Sequence, residues 1–130
     1  PDAAIHVVGF CFGGHAAFLA ATLPGVAVAF DFYGAGVSRM RPGGGAPSLE
    51  LLSQVQGKLV CLCGTADALI PAEDRVAIRT ALQALDPTAE RLRYVELEGA
   101  DHGFMCEARI SFHAAASAQG WSLMLEGVRA

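Results

Sequence analysis

An α/β architecture of about four mainly parallel strands with flanking helices is the fold class predicted by this sequence, on two observations. Four apolar runs, Ile5 to Phe10, Val26 to Tyr33, Lys58 to Gly64 and Leu92 to Leu97, alternate with stretches of helical periodicity, the pattern of repeated strand–helix–strand units. Hydrophobic residues make up 53% of the chain and charged residues 17%, a balance that suits a sheet buried on both faces. At 130 residues the chain is long enough for one compact domain and too short for two, so a single unit over residues 1–130 is expected.

The elements follow in order. The first three runs are nearly unbroken in Val, Leu, Ile, Phe and Ala, as interior parallel strands are. In the fourth, Arg91, Arg93, Glu96 and Glu98 interleave, which marks a solvent-facing edge. An Ala-rich helix is expected directly after the first strand. Arg39 to Pro47, with Gly43-Gly44-Gly45, reads as a surface loop. Pro71 is expected at the first position of the next helix, with Glu73 and Asp74 in the first turn, where acidic groups favour the dipole. Ile78, Ala81, Leu82 and Leu85 then repeat at helical spacing, and Asp86-Pro87 stops the helix. The terminal segment is expected to lay Ile110, Ala114, Ala118, Trp121 and Leu125 on the sheet as one stripe.

Charge and composition exclude several classes of partner. The formal net charge is −4, with no basic stripe, so no nucleic acid is expected. Gly, Pro or charge interrupts every apolar stretch before the roughly 18 residues of a membrane span, and no basic-then-apolar leader is read. A cytoplasmic location away from the membrane is therefore expected. Four cysteines could form two bridges, but Cys61 and Cys63 lie in a predicted strand, so reduced thiols are the expectation.

The segment richest in chemistry is Gly9-Phe10-Cys11-Phe12-Gly13-Gly14, an apolar strand running into glycines and then a helix. In the related GxSxG turn the nucleophile sits on a sharp strand-to-helix corner, and small neighbours keep the backbone from clashing. Gly9 and Gly13 are expected to supply that room. A thiol at a helix N-terminus sees the positive end of the dipole and free N–H groups, which favour its thiolate. Cys11 is thus expected to be the most reactive of the four. The other readings are a buried structural cysteine, or a dinucleotide-binding turn, for which Cys11 stands where a glycine is needed.

An acid and a histidine must follow at later strand ends if Cys11 is to act as a nucleophile. Asp67, in Gly64-Thr65-Ala66-Asp67, lies between a strand and a capped helix, although it could serve only as a turn or capping residue. His102, in Gly99-Ala100-Asp101-His102-Gly103-Phe104, follows the fourth strand and can bridge Cys11 and Asp67. His6 in the first strand, His15 in the first helix and His113 inside the last are read as packing or surface residues. Asp74 is already inside a helix and is a poorer acid. A zinc set of Cys61, Cys63, His102 and Cys106 has suitable residue types but lacks paired CxxC spacing, so neither a metal nor another cofactor is expected.

With GFCFGG at Gly9 to Gly14, DFYGAG at Asp31 to Gly36, GTADALIP at Gly64 to Pro71 and GADHGF at Gly99 to Phe104, the chain resembles the C-terminal half of the dienelactone hydrolase family, within the α/β-hydrolase superfamily. The resemblance implies a partial α/β-hydrolase fold and a Cys11-Asp67-His102 triad acting on a small-molecule ester or lactone. It also implies that the Phe12 N–H serves as an oxyanion-hole donor and that Tyr33 lines the substrate site. Family members carry a half before this region, including a loop that supplies the second oxyanion donor. The alternative is a catalytically weak or inactive fragment serving as a binding or assembly module. Dienelactone-degrading members have a carboxylate-binding Arg four residues past the histidine, where this chain has Cys106, and Arg109 is not taken as its replacement. Without that half the first strand becomes an apolar edge and one sheet face lacks cover, so a homo-oligomer is expected.

Overall fold

The computed structural model describes residues 3–129 and contains one four-stranded parallel sheet. Strands β1 (Ile5–Phe10), β2 (Val26–Phe32), β3 (Lys58–Gly64) and β4 (Leu92–Leu97) lie side by side in chain order. Helix α1 (Phe12–Ala20) connects β1 to β2, α2 (Ala72–Leu85) connects β3 to β4, and α3 (Ala114–Arg129) closes the chain. The predicted strands reproduce these bounds except that β2 stops at Phe32, because Tyr33 turns to φ 42°. Pro71 stands just before α2 in extended geometry, one residue short of its expected helical position. A seven-residue 3-10 helix, Ser48–Gln54, follows the predicted loop and packs on α1 and α2.

Parallel strands point alternate side chains to opposite faces. One face carries Ala29 and Asp31 of β2 and Leu59, Cys61 and Cys63 of β3, beneath α1 and α2. Arg75 of α2 pairs with Glu96 of β4 at 3.1 Å and ties that helix to the edge strand. The other face carries Val28, Phe30 and Phe32, and α3 lies on it. Strand β4 is an edge, as its charges predict, and β1 is the other, with Ile5, Val8 and Phe10 exposed.

The expected stripe of α3 is on the wrong side. Ala114, Ala118, Trp121 and Leu125 face outward, and Ile110 lies outside the helix, fully exposed. The buried residues are Ala116, Ser117, Gly120 and Met124. Two phenyl rings decide this: a Cβ on Gly120 would lie 2.9 Å from the Phe32 ring, and one on Gly127 would collide with Phe30. Where those two rings meet the helix, close packing leaves room only for glycine. His113 also differs from expectation, since it precedes α3 and its Nδ1 accepts the Ala116 N–H at 3.1 Å, capping the helix.

The corner between β1 and α1 needs glycine at a different pair of positions from the one expected. A Cβ on Gly9 would overlap the Gly13 carbonyl, and one on Gly14 would lie 2.5 Å from the Phe32 carbonyl oxygen. A Cβ on Gly13 meets nothing within 4 Å. Gly9→Ala is therefore expected to destabilise the fold by at least about 3 kcal/mol. Gly13→Ala should be neutral or stabilising by up to about 1 kcal/mol. Urea unfolding of the two variants checks the contrast.

Candidate active site

The four strands end together, and each is followed by one of the predicted residues: Cys11 after β1, Tyr33 after β2, Asp67 after β3 and His102 after β4. Such a C-terminal sheet edge is where α/β folds gather chemistry.

Cys11 occupies φ 58°, ψ −124°, a region that costs a residue with a Cβ about 1–3 kcal/mol and persists only when its surroundings impose it. Here they do. Its N–H donates to the Phe32 carbonyl at 3.1 Å, and its own carbonyl accepts the N–H groups of Gly14 at 2.9 Å and His15 at 3.3 Å. The N–H groups of Phe12 and Gly13, at the start of α1, have no acceptor among the described residues. The Phe12 ring itself is exposed, so what Phe12 offers the site is its backbone.

Asp67 and His102 are brought together by stitching between the loops after β3 and β4. The Thr65 N–H donates to Leu97 at 3.0 Å, the Ala66 N–H to Ala100 at 2.9 Å, and the Gly99 N–H to Thr65 Oγ1 at 2.7 Å. Asp67 is buried, and its Oδ1 accepts the Leu69 N–H at 2.9 Å. Its Oδ2 lies 2.9 Å from His102 Nδ1, which assigns the ring proton to Nδ1 and leaves the Nε2 lone pair free. His102 packs edge-on against Tyr33, with ring centroids 5.1 Å apart. Tyr33 is buried, and its hydroxyl is pushed up to about 12, first by burial and then by the charge of Cys11. Asp101 is exposed and receives the His102 N–H.

Cys11 and His102 both border the site, but no hydrogen bond joins them. The Cys11 sulfur instead has the Arg109 guanidinium as donor, at 3.9 Å. Arg109, passed over in the sequence, lines a cleft of about 460 Å³ together with Phe10, Cys11, Tyr33, Cys106 and Trp121. Its loop has no periodicity, so only folded geometry reveals its reach. A second cavity of about 420 Å³, beside Lys58, Arg91 and Glu126, contains none of the predicted site residues.

The remaining candidates are engaged elsewhere. His15 is buried, with Nδ1 donating to the Ala35 carbonyl at 2.8 Å and Nε2 accepting from Ser48 at 2.6 Å. Asp31, buried under the α1 corner, accepts the Gly34 N–H at 2.8 Å, yet burial holds its carboxyl well above the ordinary range. Cys61 and Cys63 are buried, and burial followed by the Asp31 charge pushes both thiols up. Among the described residues no group of three or more His, Cys, Asp or Glu side chains is placed to hold a metal, so the four residues of the zinc alternative are not assembled. No described helix is long and apolar enough to cross a membrane.

Comparison with known proteins adds three findings. The family model described as the dienelactone hydrolase family matches residues 2–130. A candidate carboxymethylenebutenolidase from Synechocystis is 38% identical over 117 residues, and one from Escherichia coli K12 is 31% identical over 121. These alignments cover 90% and 92% of this chain but only 46% and 44% of the relatives, so the chain spans about half their length. The crystal structure of a candidate dienelactone hydrolase from Klebsiella pneumoniae superposes with a TM-score of 0.84 at 28% identity, over 95% of this chain and 51% of that one. A thermophilic esterase from Thermogutta terrifontis shares the fold, with a TM-score of 0.67 at 22% identity, over 94% of this chain and 53% of that one.

Proposed function

Given that the chain belongs to the dienelactone hydrolase family, we propose that it hydrolyses small carboxylic esters or lactones through an acyl intermediate on Cys11. The observation that carries this reading is the pairing of buried Asp67 with His102, whose Nδ1-protonated tautomer leaves Nε2 available as a base at the sheet edge that holds Cys11. In this mechanism the Cys11 thiol turns from Arg109 toward His102, loses its proton to Nε2 and attacks the ester carbonyl. The Phe12 N–H receives the developing oxyanion. His102 returns the proton to the leaving alkoxide, then deprotonates the water that releases the acid. Asp67 holds the imidazole in register and stabilises its cationic form.

Mass spectrometry of the protein quenched during turnover of a small aryl acetate tests this reading. An acetyl group on the Cys11 peptide is expected. Acetylation at another residue, or ester turnover without any acyl-protein, would exclude Cys11 as the nucleophile.

Self-association is part of the same proposal. It is supported by the β1 edge, which has no outer strand partner among the described residues and exposes Ile5, Val8 and Phe10, and by the outward Trp121 and Leu125 of α3. Light scattering at several concentrations should give a mass above 13.5 kDa that falls on dilution. A constant monomer mass refutes it.

A further inference from the structure

Two of the four thiols open onto one cleft. Cys11 is partly accessible and Cys106 exposed, and both line the space beside Tyr33 and Arg109. Arg109 gives the Cys11 sulfur a cationic donor at 3.9 Å. Cys61 and Cys63 are sealed in the sheet.

Cys106 sits on a segment able to move. The chain leaves Phe104 and returns at His113, whose N–H closes the loop on the Phe104 carbonyl at 3.2 Å. Between them the backbone is held by single turns, Cys106 N–H to Gly103 at 3.0 Å, Arg109 to Cys106 at 3.1 Å and Phe112 to Arg109 at 3.1 Å. Residues 106–110 are all exposed. A loop with local hydrogen bonds and no buried side chains at its tip opens and shifts at low free-energy cost.

We propose that this cleft is a site of reversible oxidation by hydroperoxides, in which Cys11 is oxidised first and Cys106 resolves it as an intramolecular disulfide. The proposal rests on the reading of Cys11 as an accessible nucleophile. The Cys11 thiolate attacks a peroxide oxygen, so that an S–O bond forms and the O–O bond breaks. The departing oxyanion takes a proton and leaves as water or an alcohol. Sulfur has lost two electrons to the peroxide and is a sulfenic acid. The Cys106 sulfur then attacks it, forming S–S and breaking S–O, and the oxygen leaves as water with the Cys106 proton. A disulfide requires Cα atoms roughly 4.4–6.8 Å apart, so the loop closes over the cleft as the bond forms. The bridge would remove the nucleophile and block entry of an ester until a thiol reduces it. It would also keep Cys11 from the irreversible higher oxides.

The experiment treats the reduced, desalted chain with equimolar hydrogen peroxide and reads intact and peptide masses. The expected product has lost two hydrogens, contains a Cys11–Cys106 linked peptide pair, and is fully reversed by dithiothreitol. Cys106→Ser, at an exposed position that should not disturb folding, is expected to lose the bridge and instead gain oxygen on Cys11, trapped by dimedone at the sulfenic stage. Identical oxygen-bearing Cys11 in both proteins, or bridges only between chains, would overturn the proposal. These masses are independent of ester turnover. A chain that acylates Cys11 but never bridges refutes the disulfide alone, and one that bridges but is never acylated refutes the hydrolase reading alone.

Discussion

Cys11→Ala and His102→Ala are each expected to lower hydrolysis of a small aryl ester by as much as about 10⁶-fold, down to whatever the cleft and the Phe12 N–H achieve with water as the nucleophile. The reason is that neither group does chemistry alone. Without His102 Nε2 the Cys11 thiol loses the base that the proposed mechanism assigns to it, and without Cys11 the base has nothing to activate. The double variant should therefore lose no more than either single one. Steady-state rates for the three proteins decide the point, and losses that multiply would show that the two residues do not act as a unit. His102 is partly exposed, but its removal leaves the buried Asp67 carboxylate short of a partner, so the urea midpoint should fall in His102→Ala, and folding is checked by circular dichroism before rates are compared.

Asp67→Asn is expected to cost about 10⁴-fold in turnover while preserving the shape of the site. The geometry indicates why. Asp67 Oδ1 accepts the Leu69 N–H and Oδ2 faces His102 Nδ1. In asparagine the single oxygen is claimed by Leu69, which leaves the amide NH₂ aimed at Nδ1. His102 must then accept at Nδ1 and carry its proton on Nε2, the atom needed as base. An Asp67→Asn protein with turnover within tenfold of the parent would show that Asp67 is only a turn residue. Circular dichroism of the variant should match the parent.

The sheet was legible because buried parallel strands are written as continuous apolar runs, and β4 as an edge because a strand open to water tolerates Arg93 and Glu96. The two glycines and the thiol between β1 and α1 point to a corner, although which glycines carry the close contacts depends on how tightly α1 crosses β2. The face of α3 was misread for a physical reason. Size, not polarity, selects the side that packs, and Phe30 and Phe32 already fill the interface from the sheet. Arg109 and Cys106 could not be placed at all. They lie in a loop without periodicity, and what matters about them is reach across space toward a residue about a hundred positions earlier.

The order β1-β2-β3-β4 also has a temporal meaning. Each strand's partner is the one made immediately before it, so the sheet can grow unit by unit as the chain emerges, with every closure confined to one short connection. Helix α3 is the exception, since Gly120 and Gly127 return to Phe32 and Phe30 across some ninety residues of chain. Until that helix docks, the two rings face water on the four described strands, and the nascent protein presents an apolar surface to its neighbours. Trp121, the single tryptophan of the sequence, travels on that late-docking helix.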